Sequence, residues 1–137
     1  MAEYTAKFQP KFTICTTIRK MLLEDEKIKE LVGQKVYPII APENITTNYI
    51  VYQRDEYSIE RVKQGISNQN CIVFVTCVSA DYDTSCIMAE AVFNALDNRY
   101  NINTETQSIR SIQMTDSTED ISINKDNYIQ TLAFEIK

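Results

Sequence analysis

The stretch Cys71-Ile72-Val73-Phe74-Val75-Thr76-Cys77-Val78-Ser79-Ala80 decides the fold class. Its residues are β-branched, aromatic or sulfur-bearing at nearly every position and on both alternating faces, the pattern of a central strand covered on both sides. Such a strand needs neighbours in a sheet and an element to pack on it. Downstream, Asp81 or Asp83 is placed to cap a helix running to about Asn98, and Cys86, Ala89, Phe93 and Leu96 recur at helical spacing as its apolar stripe. A polar connection over 98–107 follows. Ser108 to Thr118 and Asn127 to Ile136 then alternate with a period of two across polar turn residues, which predicts a terminal antiparallel pair.

Upstream, Tyr49 to Arg54 is rich in β-branched and aromatic residues and follows the turn cluster Asn44 to Asn48, so it reads as another strand. Val36 to Ile40 contains Pro38 and precedes Pro42; proline cannot donate to a ladder, which confines this run to an edge or a crossover. From Phe12 to Leu31, Ile14, Ile18, Met21, Leu22, Ile28 and Leu31 recur at helical intervals broken at Glu24-Asp25-Glu26. This predicts a helix of about three turns and then a shorter one that Gly33 stops, with Thr13 as the first N-cap. Residues 1–11 lack periodicity and read as an N-terminal arm. The whole chain, 1–137, is expected to be a single α+β domain with a mixed, mainly antiparallel sheet and two main helices packed on one face.

The segment 55–70 is charged and polar, with apolar residues too sparse for a core element, and is expected to be a long exposed loop. A connection of that length is uncommon in a small domain unless it has a task. Arg54, Asp55, Glu56, Tyr57, Glu60, Arg61 and Lys63 are accordingly the candidate subunit-interface residues, since charges of both signs set orientation between partners.

Composition narrows the chemistry. The 137 residues carry a net charge of −5, with 44% hydrophobic and 24% charged residues, ordinary values for a globular domain. With no histidine, Ser-His-Asp and Cys-His catalytic sets cannot be built, and with only Gly33 and Gly65 neither a phosphate loop nor a dinucleotide fingerprint can be written. The acidic balance argues against nucleic acid as a specific partner, and no apolar run is long enough to span a bilayer as a helix. Cys15, Cys71, Cys77 and Cys86 form no Cys-x-x-Cys pair and follow no signal peptide, so they read as reduced thiols; Cys71 and Cys77 on one strand would stand about 20 Å apart. The expectation is no catalytic, metal or cofactor site. The carboxylates at Glu24 to Glu26 and at Asp81 and Asp83 fit solvation and helix N-termini better than acid–base work.

The helix Ile14-x-x-x-Ile18-x-x-Met21-Leu22, the acidic break, Val32-Gly33-x-x-Val36-Tyr37-Pro38 and Tyr49-Ile50-Val51-Tyr52-Gln53 together resemble the phage tail-completion or tail-terminator proteins. The later apolar strand, the Ala-rich helix over Met88 to Leu96 and the terminal pair extend the resemblance over nearly the whole chain. The resemblance implies a structural, head–tail joining subunit without enzymatic activity, assembling as a homo-oligomeric ring of about six copies. It implies partners in the tail-tube protein and the head connector, assembly in the host cytoplasm, and a final place in the tail of a phage or prophage virion. Two further assembly roles, head–tail connector and tail-tube subunit, stand beside it. A small ligand-binding or regulatory α+β domain and a histidine-free enzyme are the readings of other classes.

Overall fold

In the computed structural model, which describes residues 9–137, the run at 71–78 lies in the middle of a six-stranded sheet. The strands are β1 (Val36–Pro38), β2 (Tyr49–Val62), β3 (Gly65–Ser79), β4 (Arg99–Asn103), β5 (Ser108–Ile121) and β6 (Tyr128–Ile136), and the helices are α1 (Ile14–Glu24), α2 (Glu26–Val32) and α3 (Tyr82–Leu96). Strand order is β1-β2-β3-β6-β5-β4, with β1 parallel to β2 and every other pairing antiparallel. The α+β class and the mixed, mainly antiparallel sheet are as expected. Of the expected N-terminal arm, residues 1–8 lie outside the described residues.

Local chemistry accounts for the boundaries. The Asp25 carboxylate accepts from the Ile28 amide at 3.0 Å, so the acidic break between α1 and α2 is an N-cap. Gly33 ends α2 with φ of 64°, and its amide donates to Lys29 O at 2.9 Å. Asp81 caps α3, its Oδ2 accepting from the Thr84 amide at 2.9 Å and the Thr84 hydroxyl at 2.8 Å. Thr13 does not cap α1 through its side chain; its hydroxyl instead accepts from Gln107 Nε2 at 3.2 Å.

The core lies between the helices and one sheet face. Ile14, Ile18 and Leu22 of α1 and Met88, Val92 and Leu96 of α3 pack over Ile50, Val73, Val75, Leu132, Phe134 and Ile136, all buried. Of the expected α3 stripe only Leu96 is fully buried: the buried side is Ser85, Met88, Ala91, Val92, Ala95 and Leu96, whereas Cys86 and Ala89 are half-buried and Phe93 is exposed. The helix is apolar nearly all round, so spacing alone did not fix its rotation. Ser85 is tolerated inside because its hydroxyl donates to Tyr82 O at 2.6 Å and accepts from Gln130 Nε2 at 3.2 Å.

Two expectations need correction. The 98–107 connection contains β4, whose Arg99 to Asn103 pair with Ser108 to Ile112. Cover on both faces of β3 also fails: α1 and α3 cover one face, while on the other Ile72, Phe74 and Thr76 stay half-buried. The open face is apolar in the middle, through Val51, Phe74, Val78 and Ala133, and turns polar and acidic towards β5 at Gln113, Asp116 and Asp120.

Candidate interaction surfaces

The segment expected as a long exposed loop is a two-stranded ribbon. β2 and β3 remain paired out to Val62 and Gly65, with Lys63 and Gln64 alone in the turn. Gly65 has φ of 128°, and a Cβ there would meet nothing within 4 Å, so glycine answers the backbone angle and not crowding. The sequence hides this pairing because it needs no apolar face: the ribbon stands beyond the end of β6, whose last pairing with β3 is Ile136 with Cys71. Cross-strand backbone hydrogen bonds carry it instead. Register shifts between Arg54 and Glu56 and between Glu60 and Arg61 bend it further.

The seven candidate interface residues divide into two groups. Asp55, Glu56, Glu60, Arg61 and Lys63 are exposed along the ribbon. Arg54 and Tyr57 are not: both are half-buried and turn inward, towards the segment that leads into α1. Tyr57 packs edge-on against Phe12 with ring centroids 5.1 Å apart, and the Arg54 guanidinium lies over the Phe12 ring at 5.0 Å. The Tyr57 hydroxyl accepts from the Lys11 amide at 3.1 Å and donates to the Gln69 side-chain oxygen. These two residues tie the ribbon to the lead-in segment, a direction that their place in a charged stretch does not reveal.

Lys11 completes this junction. Its side chain is buried, and Nζ donates to Ser108 O at 3.1 Å, joining the lead-in to the start of β5. Burial is the main cause that pulls its ammonium below the usual lysine range, with Arg110 adding to the effect. Gln107, also buried, donates through Nε2 to Pro10 O at 3.1 Å. Neither residue is legible in the sequence, since a buried lysine or glutamine leaves no periodic signal.

Burial raises the Cys15, Cys71 and Cys77 thiols, Cys71 to about 11 and Cys77 to about 12. Such thiols stay protonated and are poor nucleophiles near neutral pH. All four cysteines are free. Among the described residues no three Cys, Asp or Glu side chains converge as a metal site, and no helix is long and apolar enough to cross a membrane.

The second surface lies on the open sheet face. Tyr49 and Val51 of β2 with Phe74 and Val78 of β3 floor a groove of about 310 Å³, and Ile39 and Ile40, in the segment after β1, form its wall. Ile39 and Ile40 are 68% and 78% exposed. The wall is anchored by Ile39, whose amide donates to Tyr52 O at 2.8 Å. Polar groups are few: the Thr76 and Thr131 hydroxyls lie 3.4 Å apart at one side, and Gln53 stands at the rim. At the same end of the sheet the β5–β6 turn carries Ile123, 99% exposed. That turn is ordered by its own hydrogen bonds: the Ser122 amide donates to Asn127 O at 2.9 Å, and the Ser122 hydroxyl donates to Asp126 Oδ1 at 2.8 Å.

These surfaces belong to a fold already seen in an assembled particle. The chain shares its fold with a virion protein. The likeness is to a chain of the virion of a native gene transfer agent particle, with a TM-score of 0.76, 17% identity, and coverage of 87% of this chain and 89% of that one. No family model matches the sequence, and no curated protein matches it.

Proposed function

We propose that this chain is a structural subunit of a phage-like particle, and specifically a tail-terminator subunit that forms a ring at the head-proximal end of the tail. The observation that carries the reading is the fold shared, across nearly the whole of both chains, with a gene transfer agent virion chain. Two features support a subunit that assembles. The open sheet face leaves Val51, Ile72 and Phe74 only half-buried, a surface that a neighbour would cover. The ribbon presents Arg61 and Lys63 near its turn and Asp55 and Glu56 nearer its base, charges of both signs beyond the core. The partners on this reading are further copies of the chain, the tail tube and the head connector, and its place after host-cytoplasmic assembly is the virion tail.

Deleting the gene from the producing genome and imaging the particles tests the reading. The expected result is tails of uncontrolled length and heads without tails, both restored by supplying the chain in trans. Particles of normal length, joined to heads in its absence, would overturn the tail-terminator role.

A further inference from the structure

Among the described residues, nothing fills the groove on the open sheet face and nothing covers the exposed isoleucine on the β5–β6 turn. Ile123 is 99% exposed, so it rests on nothing among the described residues. The turn does not require an aliphatic residue there, because its hydrogen bonds come from the backbone and from Ser122, Asp126 and Asn127. An isoleucine held out on an ordered turn is a preorganised knob: little freedom remains to be lost when it is buried. The groove is complementary in chemistry. Its floor and wall are aliphatic and aromatic, and its volume of about 310 Å³ accommodates a branched aliphatic side chain with its turn.

Charge favours the same pairing. The turn's cation, Lys125, is exposed two positions beyond Ile123, whereas the Asp126 carboxylate beside it accepts from its own Ser122 hydroxyl. The groove wall runs on from Ile40 to Glu43, which is exposed. A second copy presenting its turn to the groove would bring Lys125 towards Glu43 as Ile123 enters. A small polar ligand is poorly served, with two threonines, one glutamine and one tyrosine as the residues that bring polar side-chain groups to the lining.

We propose that the β5–β6 turn of one copy inserts Ile123 into the groove of the next, with Lys125 against Glu43. Knob and groove are different surfaces of the same chain, so the contact is heterologous and repeats from copy to copy, closing a ring or running on as a filament. This rests on the reading of the chain as an assembling virion subunit and adds which surfaces meet.

The test uses the full chain. Its mass is followed by sedimentation at rising concentration, up to about 1 mM, for the wild type, Ile123→Asp, Lys125→Glu, Glu43→Lys and the double charge exchange. Circular dichroism reports that each variant is folded, as expected at exposed positions. Self-association of the wild type, a ten- to hundredfold weakening (roughly the loss of one buried isoleucine) in Ile123→Asp, and recovery by the double exchange of what Lys125→Glu loses are the expected results. A wild type that stays monomeric throughout overturns the proposal. So does Ile123→Asp associating like the wild type, the outcome if the groove holds residues 1–8 or a small molecule. Particles produced with Ile123→Asp separate the two claims. If they are complete and contain the chain, the contact is wrong and the virion reading stands; if wild-type particles lack the chain, the virion reading itself falls.

Discussion

Raising the pH should destabilise this fold through Cys77 in particular. Cys77 sits in β3 at the centre of the sheet, fully buried, and burial alone raises its thiol from about 9 to about 12. The folded pKa is above the unfolded one, so the folded state holds the proton more tightly. The corresponding stability is fully present below pH 9 and is lost as the pH climbs towards 12, because only the unfolded chain releases the proton in that window. At pH 10.5 the loss from this one thiol is about 2 kcal/mol, with about 4 kcal/mol as the ceiling above pH 12. Cys71, raised to about 11, adds in the same direction, whereas Lys11, lowered by burial, gains stability as the pH rises towards the usual lysine range and opposes both. The assay is urea unfolding of the wild type and Cys77→Ala at pH 8 and at pH 10.5, compared as a difference so that the other titrating groups cancel. At pH 8 the variant should be less stable by about 1 kcal/mol through lost packing, and by pH 10.5 that deficit should vanish or reverse. A deficit of equal size at both pH values would refute the reasoning and place the thiol in contact with water.

Tyr57→Phe should lower stability by about 1 to 2 kcal/mol, since it removes the acceptor for the Lys11 amide and the donor to Gln69 while keeping the ring on Phe12; thermal unfolding checks it, and an unchanged Tm would show that the junction does not hold the ribbon. Reversing Arg61 and Lys63 to Glu together should leave the unfolding midpoint within about 0.5 kcal/mol of wild type, because both are exposed near the ribbon turn, yet reduce incorporation of the chain into particles. Immunoblotting of purified particles reads the second effect, and normal incorporation would mean that the ribbon charges face only solvent.

Much of the fold was legible because the signals were local. A run of β-branched and aromatic residues at 71–78, the cap at Asp81, the acidic break at 24–26 and the stop at Gly33 each act within a few positions, and the structure places a strand, a helix start, a helix-to-helix break and a helix end there. The misses share a different cause. β4 and the outer parts of β2 and β3 are held largely by cross-strand backbone bonds, with side chains half-buried or exposed and few of them apolar, so they have no clear apolar pattern to read. The rotation of α3 depended on which apolar side met the sheet, a choice made by Ser85 and Gln130 across 45 positions of sequence.

The charged stretch was legible as an exposed element, and the direction of two of its side chains was not. A charged stretch between two strands marks an exposed element, and Asp55, Glu56, Arg61 and Lys63 are exposed as that reading requires. That Arg54 and Tyr57 turn back onto Phe12 depends on a register shift in β2 and on the path of the lead-in segment, and both are tertiary facts. The groove is tertiary, bringing Ile39 and Ile40 together with β2 and with residues of β3 and β6 that lie far along the chain. The sequence by itself determined that a central apolar strand would anchor an α+β sheet, because burial of apolar area is set by composition at each position. Only the tertiary structure decided that one face of that strand stays open among the described residues, because the helices described there pack over the other face.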